Sequence, residues 1–304
     1  MPAFAGTATQ PEHLSRIGFK KILIATDYSP CSRKAMHYGL AVARSYHSAV
    51  NLVSVVSSLG FAMAGPQAIS EAVHLGIEEA ANLRKHLQAG GFLEGTNTQI
   101  QVEYGTDVAK QLLSISEKYK PDLIVLGTHG RTGLTKIWMG SVAEQVFRSS
   151  TCPVLTVGPG VPWPKVNHQP PRILFPTDFS PESVAALGGC IALAEARGYA
   201  LTLLHVAPLP RGEAAADRER IISGLETRLI GLLPPPIAHC TQARVVFGDV
   251  ESNICSTAEL EQCSLIVMGL HHDKSLLEGR WKHAYDVVIN ATCPVVTVRS
   301  VPKF

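Results

Sequence analysis

An internal duplication constrains the fold of this chain more than any other feature of its sequence. The segment Arg172–Pro181, RILFPTDFSP, closely matches Lys21–Pro30, KILIATDYSP. Near the end of each copy the tetrapeptide Thr-Cys-Pro-Val recurs, at Thr151–Val154 and at Thr292–Val295. From the aspartate of the first match to the cysteine of the second, one copy spans 125 positions and the other 115. We therefore expect two similar folded units of nearly equal length.

Each copy alternates short apolar runs with segments of helical periodicity. Such alternation is typical of a parallel β-sheet with right-handed helical crossovers. A stretch with five prolines and two glycines in fourteen residues separates the copies and predicts a stiff linker. The predicted limits are a first unit at 1–157, a linker at 158–171 and a second unit at 172–304. In the first unit we predict strands at 20–27, 49–56, 98–103, 123–126 and 154–157, and helices at 33–46, 71–89, 107–119 and 142–148.

The composition argues against several classes of protein. With 46% apolar and 17% charged residues, the 304-residue chain is typical of a globular protein with a substantial core. A net charge of +2 without a run of like charges argues against a nucleic-acid partner or a membrane surface. The first residues lack the pattern of a secretory signal, and no apolar stretch approaches the roughly 18 residues of a membrane span. Seven cysteines without CxxC spacing predict reduced thiols and a cytoplasmic protein.

The pattern that carries chemistry lies in the first copy, between two apolar runs. The first run ends at Gly127, and Gly130 and the pair Gly140–Ser141 follow before a helical segment. In isolation, three glycines would more simply mark turns. Here they stand between two buried-strand runs, with Asp27 at the end of the first strand. Free N–H groups at a helix start favour an anion by about 0.3–1 kcal/mol. The pattern therefore predicts a phosphate cradle in a parallel α/β sheet.

These motifs resemble those of the universal stress protein family. The resemblance rests on Ile22–Asp27, on the glycine pattern and on Cys152–Val157, and it covers residues 20–157 and 172–299. It implies two Rossmann-like α/β domains, each a five-stranded parallel sheet flanked by helices. It also implies membership in the ATP-binding branch of the family.

The resemblance assigns roles to individual residues. Ala25 and Asp27 would border the adenosine, with Asp27 near the ribose or a metal-bridged phosphate, and Val55 would flank the adenine. The implied ligand is ATP, with or without Mg²⁺. Arg131 and Lys136 could add positive charge, although the family pattern does not fix them. The positions that would line the ribose and phosphates are Leu126, Gly127, Gly130, Gly140, Ser141 and Val142.

The second copy departs from this pattern. By the same spacing, His272 replaces the second glycine, and Lys282 and His283 occupy the positions of the Gly-Ser pair. Asp178 is retained. We expect no ATP in this copy by the usual mode, or a different and weaker ligand, because a lysine would project into the phosphate site.

The resemblance also implies how the two domains associate. They should pair through their final strands, Val154–Val157 and Val295–Val298, because each would otherwise be an open sheet edge. Whether two chains form a homodimer stays open.

Simpler interpretations compete at several of these residues. Asp27 could act only as a cap for the next helix, and Cys31 beside it is expected to be buried and inert. Trp138 and Met139 are expected to pack the loop against the domain. A metal site in the second copy is disfavoured, because no zinc-type spacing links its candidate ligands, which are His271, His272, His283, Cys255 and Cys263.

The sequence leaves three functions open. The first is a regulatory, ATP-binding stress protein with nucleotide in the first domain. The second is a slow ATP hydrolase. Efficient hydrolysis is not expected, because the sequence has no Walker-type lysine and no candidate general base other than Asp27. The third is an interaction module that works without nucleotide.

Overall fold

The computed structural model describes residues 18–57, 65–129, 139–164, 171–209, 215–270 and 277–299. Both copies alternate strands and helices within these ranges. The first copy contains β1 (Lys21–Ala25), α1 (Pro30–Tyr46), β2 (Ala49–Ser57), α2 (Pro66–Ala89), β3 (Asn97–Gly105), α3 (Val108–Tyr119), β4 (Leu123–Gly127), α4 (Ser141–Ser149) and β5 (Val154–Val157). The second contains β6 (Arg172–Pro176), α5 (Pro181–Arg197), β7 (Ala200–Ala207), α6 (Ala215–Ile230), α7 (Pro235–Ala238), β8 (Thr241–Phe247), α8 (Val250–Leu260), β9 (Leu265–Leu270), α9 (Leu277–Asn290) and β10 (Val295–Arg299).

The described strands form one sheet in the order β3-β2-β1-β4-β5-β10-β9-β6-β7-β8. Within each copy all neighbouring strands are parallel, which confirms the predicted five-stranded parallel sheets flanked by helices. The two final strands, β5 and β10, lie side by side and antiparallel, with Val295 opposite Thr156 and Thr297 opposite Val154. In the first copy the strand order reverses between β1 and β4. Ligands of open α/β sheets bind at such a switch point, outside the carboxyl ends of the strands.

The core lies on both faces of the sheet, because successive residues of a strand point to opposite faces. Ile22 and Ile24 join one apolar cluster, which includes Met36 and Leu40 of α1. Leu23 joins the other cluster together with residues of α3, α4 and α9. Each cluster contains residues of both copies. Among the described residues, no helix is long and apolar enough to cross a membrane.

Capping residues explain where several helices begin. Ser29 and Ser180 cap α1 and α5, and each precedes a proline that suits the first helical turn. Asp107, the first residue of the predicted helix 107–119, is the cap of α3. Helix α2 begins at Pro66, five residues before its predicted start, again with proline in its first turn. The predicted start was too late because the small residues before Glu71 give no helical apolar pattern.

Candidate functional site

The carboxyl ends of β1, β2 and β4 bring several of the predicted site residues to one edge of the sheet. Ile24 lies opposite Val125, so the residues that follow both strands emerge together. Ala25 ends β1 and is buried, and Leu126 is buried near the end of β4. The N–H of Thr26 donates to the carbonyl of Val53, 2.9 Å away, in the neighbouring strand. Val55 lies two residues further along β2 and is half-buried at the same edge.

Asp27 organises the turn between β1 and α1. Its carboxylate accepts the N–H of Ser29 at 3.0 Å. Burial works to raise the pKa of Asp27, but hydrogen bonds from Ser29 and Ser32 outweigh burial and hold that pKa below its ordinary value. Asp178 accepts the N–H of Ser180 at the same distance, 3.0 Å, in the second copy. Asp27 is therefore an ionised carboxylate with a structural role in the turn, and the cap of α1 is Ser29 rather than Asp27.

Gly127 is required by packing within the protein. A Cβ at this position would lie 2.6 Å from the backbone N of Ser32 and 2.7 Å from the carbonyl carbon of Cys31. Both atoms belong to the first turn of α1, so only glycine lets α1 approach the end of β4 so closely. Gly269 repeats this arrangement, because its Cβ would lie 2.7 Å from the Cα of Ser183. The first glycine of the motif therefore serves the fold in both copies.

The N-terminus of α4 lies beside the end of β4. The N–H of Gly140 donates to the carbonyl of Thr128 at 2.8 Å, which ties the helix start to the residue after β4. Gly140 is the N-cap of α4 and provides no side-chain hydrogen bond, whereas α1 and α3 are capped by side chains. Ser141 is exposed and Val142 half-buried at this end. The first N–H groups of α4 thus lack a side-chain cap among the described residues, which is the property of an anion-binding helix start.

One carboxylate lies within the first turn of α4. Glu144 forms an ion pair with Arg148 at 2.8 Å on the same helix. Such an exposed i,i+4 pair contributes little stability, but it offsets the negative charge near the helix start.

Thr128 and His129 follow β4 directly and belong to the same edge, although the motif did not predict them. The Thr128 hydroxyl and Nδ1 of His129 lie 2.9 Å apart, and Ser29 donates its hydroxyl hydrogen to the carbonyl of His129 at 3.1 Å. Burial lowers the pKa of His129, so its imidazole is neutral at pH 7. A histidine two positions after the strand glycine occurs in both copies, as His129 and His271, and this recurrence was the available signal.

The corresponding edge of the second copy has a different helix start. Lys282 and His283 lie inside α9, which begins five residues earlier, at Leu277. The pKa of Asp249 is lowered, first by hydrogen bonds from Ser252 and further by the proximity of His283 and Lys282. Because α9 already includes Leu277, the backbone N–H of residue 282 lies beyond the first turn and donates within the helix. The loss of the Gly-Ser pair therefore accompanies the loss of a helix N-terminus at that position.

Several predicted residues lie outside the described part of the chain. These are Gly130, Arg131, Lys136 and Trp138 in the first copy, and His271 and His272 in the second. Met139 is described and buried, at 4% exposure. The described residues contain no group of three or more His, Cys, Asp or Glu side chains placed to hold a metal ion.

Known proteins resemble this chain, some over about half of its length and others over most of it. Universal stress protein MJ0531 of Methanocaldococcus jannaschii is 35% identical over 143 residues, which are 46% of this chain and 82% of that protein. Universal stress protein A homolog 1 of Coxiella burnetii is 32% identical over 139 residues, 46% of this chain and 96% of that protein. The fold of the whole chain resembles a crystal structure of a universal stress protein from Archaeoglobus fulgidus, with a TM-score of 0.66 at 20% identity, covering 92% of this chain and 98% of that one.

The model of the universal stress protein family matches the chain twice, at residues 18–158 and 171–299. The two matches coincide with the two copies of the duplicated pattern. The chain therefore belongs to the universal stress protein family, as a member with two consecutive copies of the family domain.

Proposed function

We propose that this protein is a regulatory nucleotide-binding stress protein that holds ATP in its first copy. The observation that carries the proposal is the start of α4, which has no side-chain cap in the part of the chain that the structure describes and is tied by Gly140 to the residue after β4. An anion placed there receives backbone N–H groups and the positive end of the helix dipole. The triphosphate of ATP is an anion of the right kind for such a site.

The described residues among the other predicted positions lie near the carboxyl ends of β1, β2 and β4. In this proposal Ala25 borders the adenosine and Val55 flanks the adenine. Leu126 lines the ribose and phosphates. Asp27 contacts the ribose or, when Mg²⁺ accompanies ATP, a phosphate bridged by the metal ion. Ser141 and Val142 supply first-turn N–H groups to the phosphates. Gly127, Gly130, Gly140 and Arg131 complete the assigned set.

The second copy has no equivalent site in this proposal. Helix α9 already begins at Leu277, so position 282 offers no free first-turn N–H groups. We therefore expect one nucleotide per chain. We also propose a cytoplasmic location, in which its seven cysteines, all free thiols in the structure, stay reduced.

Isothermal titration calorimetry with Mg-ATP tests the proposal, using a charge introduced at the helix start. In Ser141→Glu, the new carboxylate interacts favourably with the helix dipole, so thermal stability is retained. It also repels the phosphates, so ATP affinity should fall about tenfold or more. The control is Ser149→Glu, the same change at the other, exposed end of the nine-residue helix. It should leave ATP affinity unchanged.

Two results would contradict the proposal. The first is a wild-type protein that shows no heat with Mg-ATP and carries no nucleotide detectable by mass spectrometry after purification. The second is equal ATP affinity in Ser141→Glu and Ser149→Glu, because the phosphates would then lie away from α4. Release of ADP that disappears in Asp27→Ala would instead favour the slow hydrolase.

A further inference from the structure

Helix α4 is held at both of its ends by side chains of the second copy. At its start, the N–H of Met139 donates to the hydroxyl oxygen of Tyr285, in α9, at 2.9 Å. At its end, Nη2 of Arg299, in β10, donates to the carbonyl of Phe147 at 2.9 Å. Neither contact belongs to the strand pairing between β5 and β10.

A short helix benefits from both kinds of contact. Helix α4 has nine residues, and isolated helices of that length are unstable in water. The carbonyl of Phe147 lies in the last turn of α4, where helix carbonyls commonly accept hydrogen bonds from outside the helix. A cationic side chain there also interacts favourably with the helix dipole. Arg299 is partly buried, and burial lowers its pKa, so its guanidinium depends on such a partner.

The packing around α4 agrees with these hydrogen bonds. Val146 and Phe147 are almost completely buried, at 1% exposure each, in the apolar cluster that also contains Val287 and Val288 of α9. Met139 belongs to the same cluster. The position of α4 is therefore set by the second copy as well as by its own sheet.

These contacts are not reciprocal. When Thr292–Val295 is aligned with Thr151–Val154, the first-copy counterparts of Tyr285 and Arg299 are Glu144 and Gly158. Glu144 pairs with Arg148 on its own helix, and glycine has no side chain to donate. The duplication has thus left one copy with the helix start and the other with the side chains that hold it.

We propose that the second copy acts as a positioning element for the phosphate-binding helix of the first, through Tyr285 and Arg299. This inference rests on the proposed function and deepens it. Met139 immediately precedes the N-cap Gly140, so fixing its N–H fixes the chain where it enters the anion site. Nucleotide binding and contact between the copies are then coupled, and each strengthens the other.

The test compares Tyr285→Phe with Tyr119→Phe in the full-length protein. Tyr119 is a matched control, because it is also half-buried and its hydroxyl donates to the carbonyl of Ala49, 3.1 Å away, at the opposite edge of the sheet. Removing one hydrogen bond typically costs a factor of about five in an equilibrium constant. We expect Tyr285→Phe to weaken Mg-ATP binding about fivefold and Tyr119→Phe to leave the affinity unchanged.

A second pair of variants tests the other end of the helix. Arg299→Met should weaken ATP binding by a similar factor, and Arg299→Lys should restore part of the loss because it keeps the charge. The control is Arg197→Met. Arg197 also joins the two copies, by a hydrogen bond of 3.2 Å to the carbonyl of Ser45, but at the far end of α1.

Amide hydrogen exchange in the nucleotide-free protein separates this inference from the proposed function. Exchange at Met139, Gly140 and Ser141 should accelerate in Tyr285→Phe and stay at the wild-type rate in Tyr119→Phe. Unchanged exchange and affinity in Tyr285→Phe would overturn the inference, and so would an equal loss of affinity in both tyrosine variants. If the wild-type protein binds no nucleotide, the proposed function fails, while the exchange rates still decide whether the second copy positions α4.

Discussion

Substitution of Gly127 by alanine separates the structural from the ligand-binding role of the glycine motif. The new Cβ would lie 2.6 Å from the N of Ser32, 2.7 Å from the carbonyl carbon of Cys31 and 3.0 Å from the Cα of Ser32. All three atoms are backbone atoms of α1, so no side-chain rotation relieves the contact. Either α1 or the end of β4 must shift.

The expected magnitude follows from the cost of overpacking. Adding atoms to a close-packed site costs typically 1–3 kcal/mol, and the rigid neighbours place this substitution near the upper end, at about 3 kcal/mol. At about 2–4 °C per kcal/mol for a unit of this size, the melting temperature should fall by roughly 6–12 °C. ATP need not be present for this loss.

Two matched glycines make the measurement decisive. Gly269→Ala meets backbone atoms of Ser183 and Glu182 at 2.7 and 2.8 Å, so it should destabilise the protein by a similar amount, although we propose no ATP site in its copy. Gly224→Ala, exposed in α6, meets nothing within 4 Å and should stabilise the protein by about 0.5–1 kcal/mol. Urea unfolding followed by circular dichroism measures all three. If Gly127→Ala unfolds like the wild type and loses only ATP binding, the packing argument is wrong.

Three further predictions concern groups outside the glycine motif. Lys34 is buried, and its Nζ donates to the carbonyls of Pro159 and Val161 at 2.9 and 2.6 Å. Lys34→Met should therefore lower the free energy of unfolding by about 2–3 kcal/mol and accelerate proteolysis of the predicted linker, which gel electrophoresis measures. Cys240 is exposed, whereas burial raises the pKa of the Cys152 thiol to about 12, so iodoacetamide should label Cys240 first in the folded protein. Peptide mass spectrometry measures the labelling, and equal rates at both cysteines would contradict the structure. The pKa of Asp27 is lowered in the folded protein, so the ionised carboxylate stabilises the fold at pH values above its ordinary pKa of 3.8, and this stability is lost as the pH falls through the lower folded pKa. The free energy of unfolding, measured in urea, should therefore differ between wild type and Asp27→Asn at neutral pH and become equal in acid.

The sequence was sufficient to predict the layered fold because each element has a local signal. Buried strands such as Leu123–Gly127 are continuous apolar runs, and helix starts such as Ser29-Pro30 carry their own capping chemistry. The duplication reinforced both, since a pattern that occurs twice at corresponding positions is unlikely to arise by chance. Fold class and element order follow from such local and repeated signals.

Features that depend on contacts distant in sequence could not be predicted in this way. The hydrogen bond between Met139 and Tyr285 joins residues 146 positions apart, and neither residue type predicts such a contact. The presence of α9 from Leu277 onwards was likewise not predicted, because spacing alone placed Lys282 at a helix N-terminus. The order of the copies in the sheet decides which side chains reach α4, and that order is a property of the whole chain.

Comparison of the two copies shows which part of the motif carries information about a ligand. Gly127 and Gly269 occupy the same position and satisfy the same demand, the close approach of a helix backbone to the end of a strand. A glycine there is therefore present whether or not the copy binds a nucleotide, and it says nothing about binding. The copies differ instead where α4 begins at Ser141 and α9 has already made its first turn before Lys282. Since free N–H groups exist only in a first turn, the capacity to bind a phosphate depends on the residue at which the helix begins. The chain at that start donates a hydrogen bond to Tyr285 of the other copy. In our proposal, therefore, the nucleotide site of the first half depends on a second half that need not bind a nucleotide.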